Sequence, residues 1–239
     1  MSIAEKLTTI AENEQKVYEA GAKSEYDRFW DEFQQNGNRT IYICSFGAGW
    51  NADIWKPKYP MRPTNAYMMF FNNMAQYILI DDFVEFCKEN NIILDFSNCT
   101  NAYYALATLQ SPHFGVLDFS KCTNMTLLFY SHNNLSSYGV RTIDEFICSE
   151  ITTFTATTFQ HAIYLTNLNM SGVMAKNGLD VSYCEKLTHD SLMSIINCLK
   201  DYSEYTGTTN WVCTLGTTNL AKLTDAEKAV ATEKGWSLA

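Results

Sequence analysis

The sequence predicts an α/β solenoid: a short, irregular repeat array set between an N-terminal helix and a helical C-terminal cap. Three observations predict it. The phrase "LDFSNCTNAYYALATL", starting at Leu94, is rewritten 23 residues later as "LDFSKCTNMTLLFYSH", starting at Leu117. A second column of apolar residues runs at a fixed offset beside the first. Helical apolar spacing is found on either side of this region.

The repeat comes first, because a self-similar unit decides the architecture. The pattern Leu/Ile-Asp-x-x-x-Cys occurs at Leu94, Leu117, Ile143 and Leu179. From Leu94 to Leu117 is 23 residues, from Leu117 to Ile143 is 26, and from Ile143 to Leu179 is 36. A partial copy, "LNMSG" at Leu168, lies 25 residues after Ile143. In the second column, Phe70, Leu106, Phe129 and Phe159 each follow a threonine by six residues: Thr64, Thr100, Thr123 and Thr153. Asparagine follows three of these threonines, at Asn65, Asn101 and Asn124. The period is that of leucine-rich repeats, with one strand and one return segment per unit. A lone unit leaves its flanks wet, and stacking closes them.

Strand alternation turns Leu94 and Phe96 inward and Asp95 and Ser97 outward. Cys99, Cys122, Cys148 and Cys184 are expected to form one buried column of free thiols, where a small apolar side chain fits. On the outer side, Asp95, Asp118 and Asp144 are expected to stack on neighbouring strands, with Ser97 and Ser120 beside them. Like charges at about 5 Å repel. Either the carboxylates accept hydrogen bonds from neighbouring Ser, Thr or backbone groups, or a cation or polar ligand bridges them. These five residues are the candidate ligand-binding set.

Four segments follow in chain order. Residues 1–37 read as a helix. Ile3, Leu7, Ile10 and Val17 form a narrow apolar seam interrupted by Glu14, then Tyr26, Phe29, Trp30 and Phe33 form a broad stripe, and Asn36-Gly37 stops it. A seam without a following core suits another helix, so Ile3, Leu7, Ile10 and Val17 are the candidate oligomerisation residues, in a coiled coil taken to be a trimer. Residues 38–93 read as an aromatic-rich N-terminal cap, with a β-type run "TIYICSF", three of the four prolines, and a short amphipathic helix in "IDDFVEFCKENNI". Residues 94–184 are the repeats. Residues 185–239 form the C-terminal cap. Here Thr188 caps a helix that buries Leu192, Ile195, Ile196 and Leu199, "WVCTLG" is a strand, and a capping box at Thr224 and Glu227 opens a last helix ending at Gly235.

Composition sets the function classes. Of 239 residues, 46% are hydrophobic and 18% charged, as in a globular chain. The net charge of −9 argues against nucleic acid as a partner. The first residues are charged and carry no apolar h-region, and no run of 18 apolar residues exists, so neither a secretory signal nor membrane insertion is expected. None of the eight cysteines forms a CxxC pair, and a cytosolic chain of this size holds them as thiols. The four histidines, His113, His132, His161 and His189, share no ligand spacing. "HDS" at His189–Ser191 contains triad letters on a helix start, where capping is the better account. No phosphate-binding glycine motif is present. No enzyme activity, cofactor or metal is expected.

The phrases "LDFSKCTNMTLLF", "LTHDSLMSIINCL" and "CTLGTTNLAKLTDAEKAVATEKGW" resemble BspA-like leucine-rich-repeat proteins of Gram-positive gut bacteria and their phages and prophages. "AENEQKVYEAGAKSEYDRFWDEFQQNG" looks like the start of a subset found among phage structural genes. The resemblance covers nearly the whole chain and brings no catalytic residues. It implies a virion component of a tail tip, baseplate or fibre. Such a protein is made in a bacterial cytoplasm without a signal peptide, oligomerises, and binds other virion proteins and a host-surface glycan or protein. Two alternatives are a BspA-like bacterial adhesin and an intracellular interaction protein that inhibits a host factor.

Overall fold

The tripeptide Asp-x-Ser sets the first corner of the units at Leu94, Leu117 and Leu179. The Asp95 carboxylate accepts the Ser97 N–H at 2.9 Å, Asp118 accepts that of Ser120 at 2.9 Å, and Asp180 accepts that of Ser182 at 2.9 Å. A short carboxylate that reaches its own backbone two residues on closes a turn without help from another segment. The turn is then locked by an N–H three residues further along the chain. Cys99 donates to the Phe96 carbonyl at 2.7 Å, Cys122 to Phe119 at 2.9 Å, and Cys184 to Val181 at 2.9 Å. The second corner needs a left-handed residue. Tyr104 (φ 53°) and Leu127 (φ 50°) supply it at the same place in the two best-matched copies.

The computed structural model describes residues 59–67, 78–107, 109–130 and 137–239. The expected N-terminal helix with Ile3, Leu7, Ile10 and Val17, the "TIYICSF" run, Phe70 and His132 lie outside the described residues. In order, the elements are β1 (Asn65–Tyr67), β2 (Ile78–Leu79), α1 (Phe83–Glu89), β3 (Asn101–Tyr103), β4 (Leu109–Gln110), β5 (His113–Asp118), β6 (Asn124–Thr126) and β7 (Thr142–Cys148). Then come β8 (Asn167–Gly172), α2 (His189–Cys198), β9 (Trp211–Cys213), α3 (Thr217–Leu220), α4 (Asp225–Glu233) and β10 (Trp236–Leu238).

The expected α/β solenoid is not what these elements build. The strands fall into separate small parallel sheets: β1-β3-β6, β5-β7-β8, β2-β4 and β9-β10. No continuous solenoid sheet runs through the described residues. The physical reason lies in the units. The Asp118 corner ends β5, pairing at Leu94 and Asp180 is reduced to single bridges with Met61 and Thr214, and the unequal intervals keep successive strands from one unbroken ladder. Where two copies do match, registration is tight. Asn65, Asn101 and Asn124 stand in line across β1-β3-β6, where Asn124 Nδ2 donates to Asn101 Oδ1 and Asn101 Nδ2 to Asn65 Oδ1, both at 2.8 Å.

The third copy is also placed differently. Ile143 pairs with Phe114 and Leu168, whereas Phe146 lies opposite Leu117. Asp144 is therefore not in line with Asp118, whose partner is Ile147. The serine column survives, because Ser149 then occupies the place of Ser120, and its hydroxyl donates to the Ser120 carbonyl. Thr152 takes the cysteine position. It is fully buried, its N–H bonds to the Ser149 carbonyl at 2.9 Å, and its hydroxyl donates to the Phe119 carbonyl at 3.2 Å.

The four cysteines are buried but do not form one column. Cys99 and Cys122 are neighbours whose thiols donate to the Asn101 and Asn124 carbonyls at 3.1 Å each, Cys148 instead neighbours Cys198, and the Cys184 thiol points at the Phe159 carbonyl 3.6 Å away. Burial pushes the Cys184 thiol up to about 12. Thiol labelling of the native full chain should accordingly be slow at Cys99, Cys122, Cys148 and Cys184, and faster at half-buried Cys87. Rapid native-state modification at two or more of the four would refute the packing.

Phenylalanine rings make the core. Phe83, Phe114, Phe129, Phe159, Phe154, Phe146, Phe119 and Phe96 form a connected chain of contacts with centroids 4.8–6.4 Å apart. Edge-on and offset contacts over such distances stabilise beyond area burial alone.

Helix α2 covers the far edge of β5-β7-β8. Thr188 caps it, and its apolar face buries Leu192, Ile195 and Ile196. Its hydroxyls serve the edge strand. Ser191 Oγ accepts the Leu168 N–H at 2.9 Å, and Ser194 Oγ accepts the Met170 N–H at 3.0 Å. Ser191→Ala should cost about 1–3 kcal/mol in urea unfolding, because it strands a buried N–H. A loss under about 0.3 kcal/mol would show that water takes over the bond.

Beyond α2, the expected capping box at Thr224 and Glu227 opens α4. Fully buried Asn219, in α3, ties three loops together. Its Nδ2 lies 2.9 Å from the Leu215 carbonyl and 3.3 Å from those of Val181 and Cys184, while its Oδ1 accepts from Lys222 at 2.9 Å.

Candidate functional site

Of the candidate ligand-binding residues, Asp144 is out of line with Asp118. Asp95 is occupied by the Ser97 N–H and, through its other oxygen, by Arg62 Nε at 3.4 Å. Burial works against its ionised form, but the bonds from Ser97 and Arg62 outweigh this and hold the carboxyl below its ordinary value. Asp118 is occupied by the Ser120 N–H. Ser97 and Ser120 therefore act through their backbone, as partners of the turn. Backbone N–H groups thus occupy one carboxylate oxygen of Asp95 and one of Asp118. Asp144 alone joins a different cluster.

That cluster arises from a register change. Between Ile143 and Phe146 on β7 there are two residues, Asp144 and Glu145, whereas Leu168 and Met170 on β8 are separated by Asn169 alone. The extra residue leaves both acids off the buried face. Opposite them on β5 are Gly115 and Val116, the latter 58% exposed. Gly115 leaves room at this point: a Cβ there would sit 3.2 Å from Val84 of α1 and 4.0 Å from the Asp144 carboxylate. Helix α1 can thus approach the sheet, and Asp144 can reach across to His113.

His113, the first residue of β5, holds a carboxylate on each ring nitrogen. Nδ1 is 2.9 Å from Asp82 Oδ2, and Nε2 is 2.9 Å from Asp144 Oδ1. Burial disfavours its charged form, yet hydrogen bonds to Asp82 and Asp144 outweigh burial and raise its pKa above the ordinary value. Asp82 has a second task. Its Oδ1 caps α1, accepting from Val84 N–H at 2.9 Å and Glu85 N–H at 3.2 Å. Burial opposes its ionised form, but the bonds from His113 and these N–H groups hold its carboxyl below the ordinary value.

Beside Asp144 opens a groove of about 400 Å³. Thr142, Asn167, Asn169, Thr188 and Asp190 rim it with Asp144, and Ile143 and Leu168 contribute apolar surface. Strands β7 and β8 and the first turn of α2 each contribute, so the rim is held by paired backbone. Asn167 Nδ2 lies 3.4 Å from Thr142 Oγ1 and 3.3 Å from Thr166 Oγ1. On the far rim Asp190 neighbours His189, whose Nε2 is 2.7 Å from Glu227. The bond to Glu227, then that to Asp190, raises His189 above its ordinary value. The Thr224 backbone N–H, then His189, lowers Glu227 to about 2.

Sequence reasoning missed His113, Asp82, Asn169 and Asp190. The partners of His113 lie 31 residues to either side of it, on elements that meet only after folding. Of the membrane expectation, the described residues show that no helix is long and apolar enough to cross a bilayer. No family model, curated protein or solved structure matches the chain.

Proposed function

We propose that the chain is a non-enzymatic binding protein that presents the groove and the adjoining outward face of β5-β7-β8 to a partner, as a tail-tip, baseplate or fibre component of a phage or prophage virion. The groove carries the reading. It places hydroxyl, amide and carboxylate groups over apolar surface, the mixture that takes up a polyhydroxylated ligand such as a host-surface glycan. The histidines support it as well. His113 and His189 each have both ring nitrogens engaged by carboxylates, which leaves neither poised as a general base. The resemblance to BspA-like proteins of phages and prophages supports the virion setting, with synthesis in a bacterial cytoplasm.

A glycan array probed with the full chain tests the groove. Binding should fall at least about tenfold on Asn169→Arg, a change at an exposed rim position that blocks the groove. Absence of binding, or binding that Asn169→Arg leaves intact, would sink the glycan reading. Self-association through Ile3, Leu7, Ile10 and Val17 is part of the proposal, since multivalency strengthens a weak surface contact. Light scattering at about 50 μM should give an oligomer, a trimer in the simplest case, for the full chain and a monomer for a chain starting near Lys23. Two monomers would remove the multivalent half of the proposal.

A further inference from the structure

We propose that Asp82, His113 and Asp144 form a pH-sensitive clasp that fastens the start of α1 to the β5-β7-β8 sheet and decides whether Asp144 belongs to the histidine or to the groove. The geometry demands a proton count. Both ring nitrogens of His113 lie 2.9 Å from carboxylate oxygens. An ionised carboxylate only accepts, and a neutral imidazole has one N–H and one lone pair. The two bonds coexist only when the ring is an imidazolium donating from both nitrogens. Loss of one proton sets a lone pair against a carboxylate.

The carboxylate released is that of Asp144. Asp82 is anchored by its other oxygen to the N–H groups of Val84 and Glu85. Asp144 sits at the register change and its side chain is 51% exposed, against 38% for Asp82. On release its side chain is free to turn further into the groove that it already lines, toward the Asn169 amide, and with the histidine neutral the groove is more negative. Phe83 stays against Phe114, with ring centroids 5.5 Å apart, so α1 loosens at its first turn without detaching.

The surroundings favour the charged ring. From the α1 side come Asp81, Asp82 and Glu85, the last paired with Lys88 at 3.3 Å. From β7 come Asp144 and Glu145, from β5 Asp118 at its far end, and from α2 Asp190. β8 adds only the amides Asn167 and Asn169. Arg141, just before β7, has its guanidinium 5.9 Å from the centroid of the Tyr164 ring. The pKa of His113 is raised in the folded chain. Its stabilisation is therefore complete below the unfolded value near about 6.5 and is lost as pH rises through the folded value. Asp82, lowered in the fold, contributes above its unfolded value and is lost as pH falls through its folded one. The clasp is closed between those two limits.

NMR titration of the full chain tests this. The His113 ring resonance should titrate with a midpoint above about 6.5, and Asp144→Asn should lower that midpoint by about 0.5 or more. The His189 midpoint, assigned through His189→Gln, should stay in place. A His113 midpoint at or below about 6.5, or one that Asp144→Asn does not move, overturns the clasp. Thermal unfolding gives a second measure. The gap in Tm between the natural chain and His113→Gln should be larger at about pH 5.5 than at about pH 9. An equal gap at both would mean that His113 only packs, which also overturns the proposal.

Discussion

Phe146→Ala should destabilise the native chain by about 3–5 kcal/mol, the range for truncating a large buried aromatic. The ring has no exposed surface and is the junction of the phenylalanine chain: its centroid lies 5.5 Å from Phe119, 5.5 Å from Phe159 and 6.0 Å from Phe154. Its loss opens a cavity between the two sides of the core, which neighbours on three sides cannot all move to fill. Phe129, also without exposed surface, has rings at 5.7 and 6.0 Å, and Phe129→Ala should fall in the same range. Equilibrium unfolding in urea gives both values. A loss below about 1 kcal/mol for Phe146→Ala would mean that the core is not organised around this ring.

Asn219→Leu, which keeps the branched shape but replaces the amide by bulkier methyl groups, should cost roughly 2–4 kcal/mol. The carbonyls of Val181, Cys184 and Leu215 converge on one amide nitrogen, and none gains a new donor when it is removed. Lys222 would suffer too. Its ammonium bonds to Asn219 Oδ1 at 2.9 Å and to the Glu185 and Leu187 carbonyls at 2.7 Å each. Burial already lowers its pKa, so one fewer acceptor lowers it further. The same urea experiment reads the cost. A value within about 0.5 kcal/mol of zero would show that the loops do not depend on the amide.

These residues differ in how plainly the sequence announces them. The aromatic column was legible because an aromatic or leucine recurs six residues after threonine, and that local rule survives any arrangement of sheets. The copies at Leu94, Leu117 and Leu179 were legible for the same reason, since each carries its own Asp-x-Ser turn. The copy at Ile143 was misread. Its Ile, Asp and Cys match, but the residue three after Ile143 is Phe146, where the other copies have Ser97, Ser120 and Ser182. The serine was the signal: Ser149 lies three residues after Phe146, the true counterpart of Leu117. The solenoid failed because repetition specifies corners, whereas strand length and spacing decide whether successive strands join one sheet. The clasp on His113 could not be read at all, since it depends on an extra residue in one strand and on the entry of a helix.

The two serines of α2 have a consequence for how this molecule can meet another chain. An open strand edge invites an extended peptide to continue the ladder, by β-augmentation from a partner or by exchange between copies. On β8 that invitation is withdrawn, because the N–H groups of Leu168 and Met170 that an incoming strand would need already donate to Ser191 and Ser194. A visitor to the neighbouring groove finds side chains to read and no backbone to extend, so its sequence or its sugars, and not mere extendedness, must earn the contact.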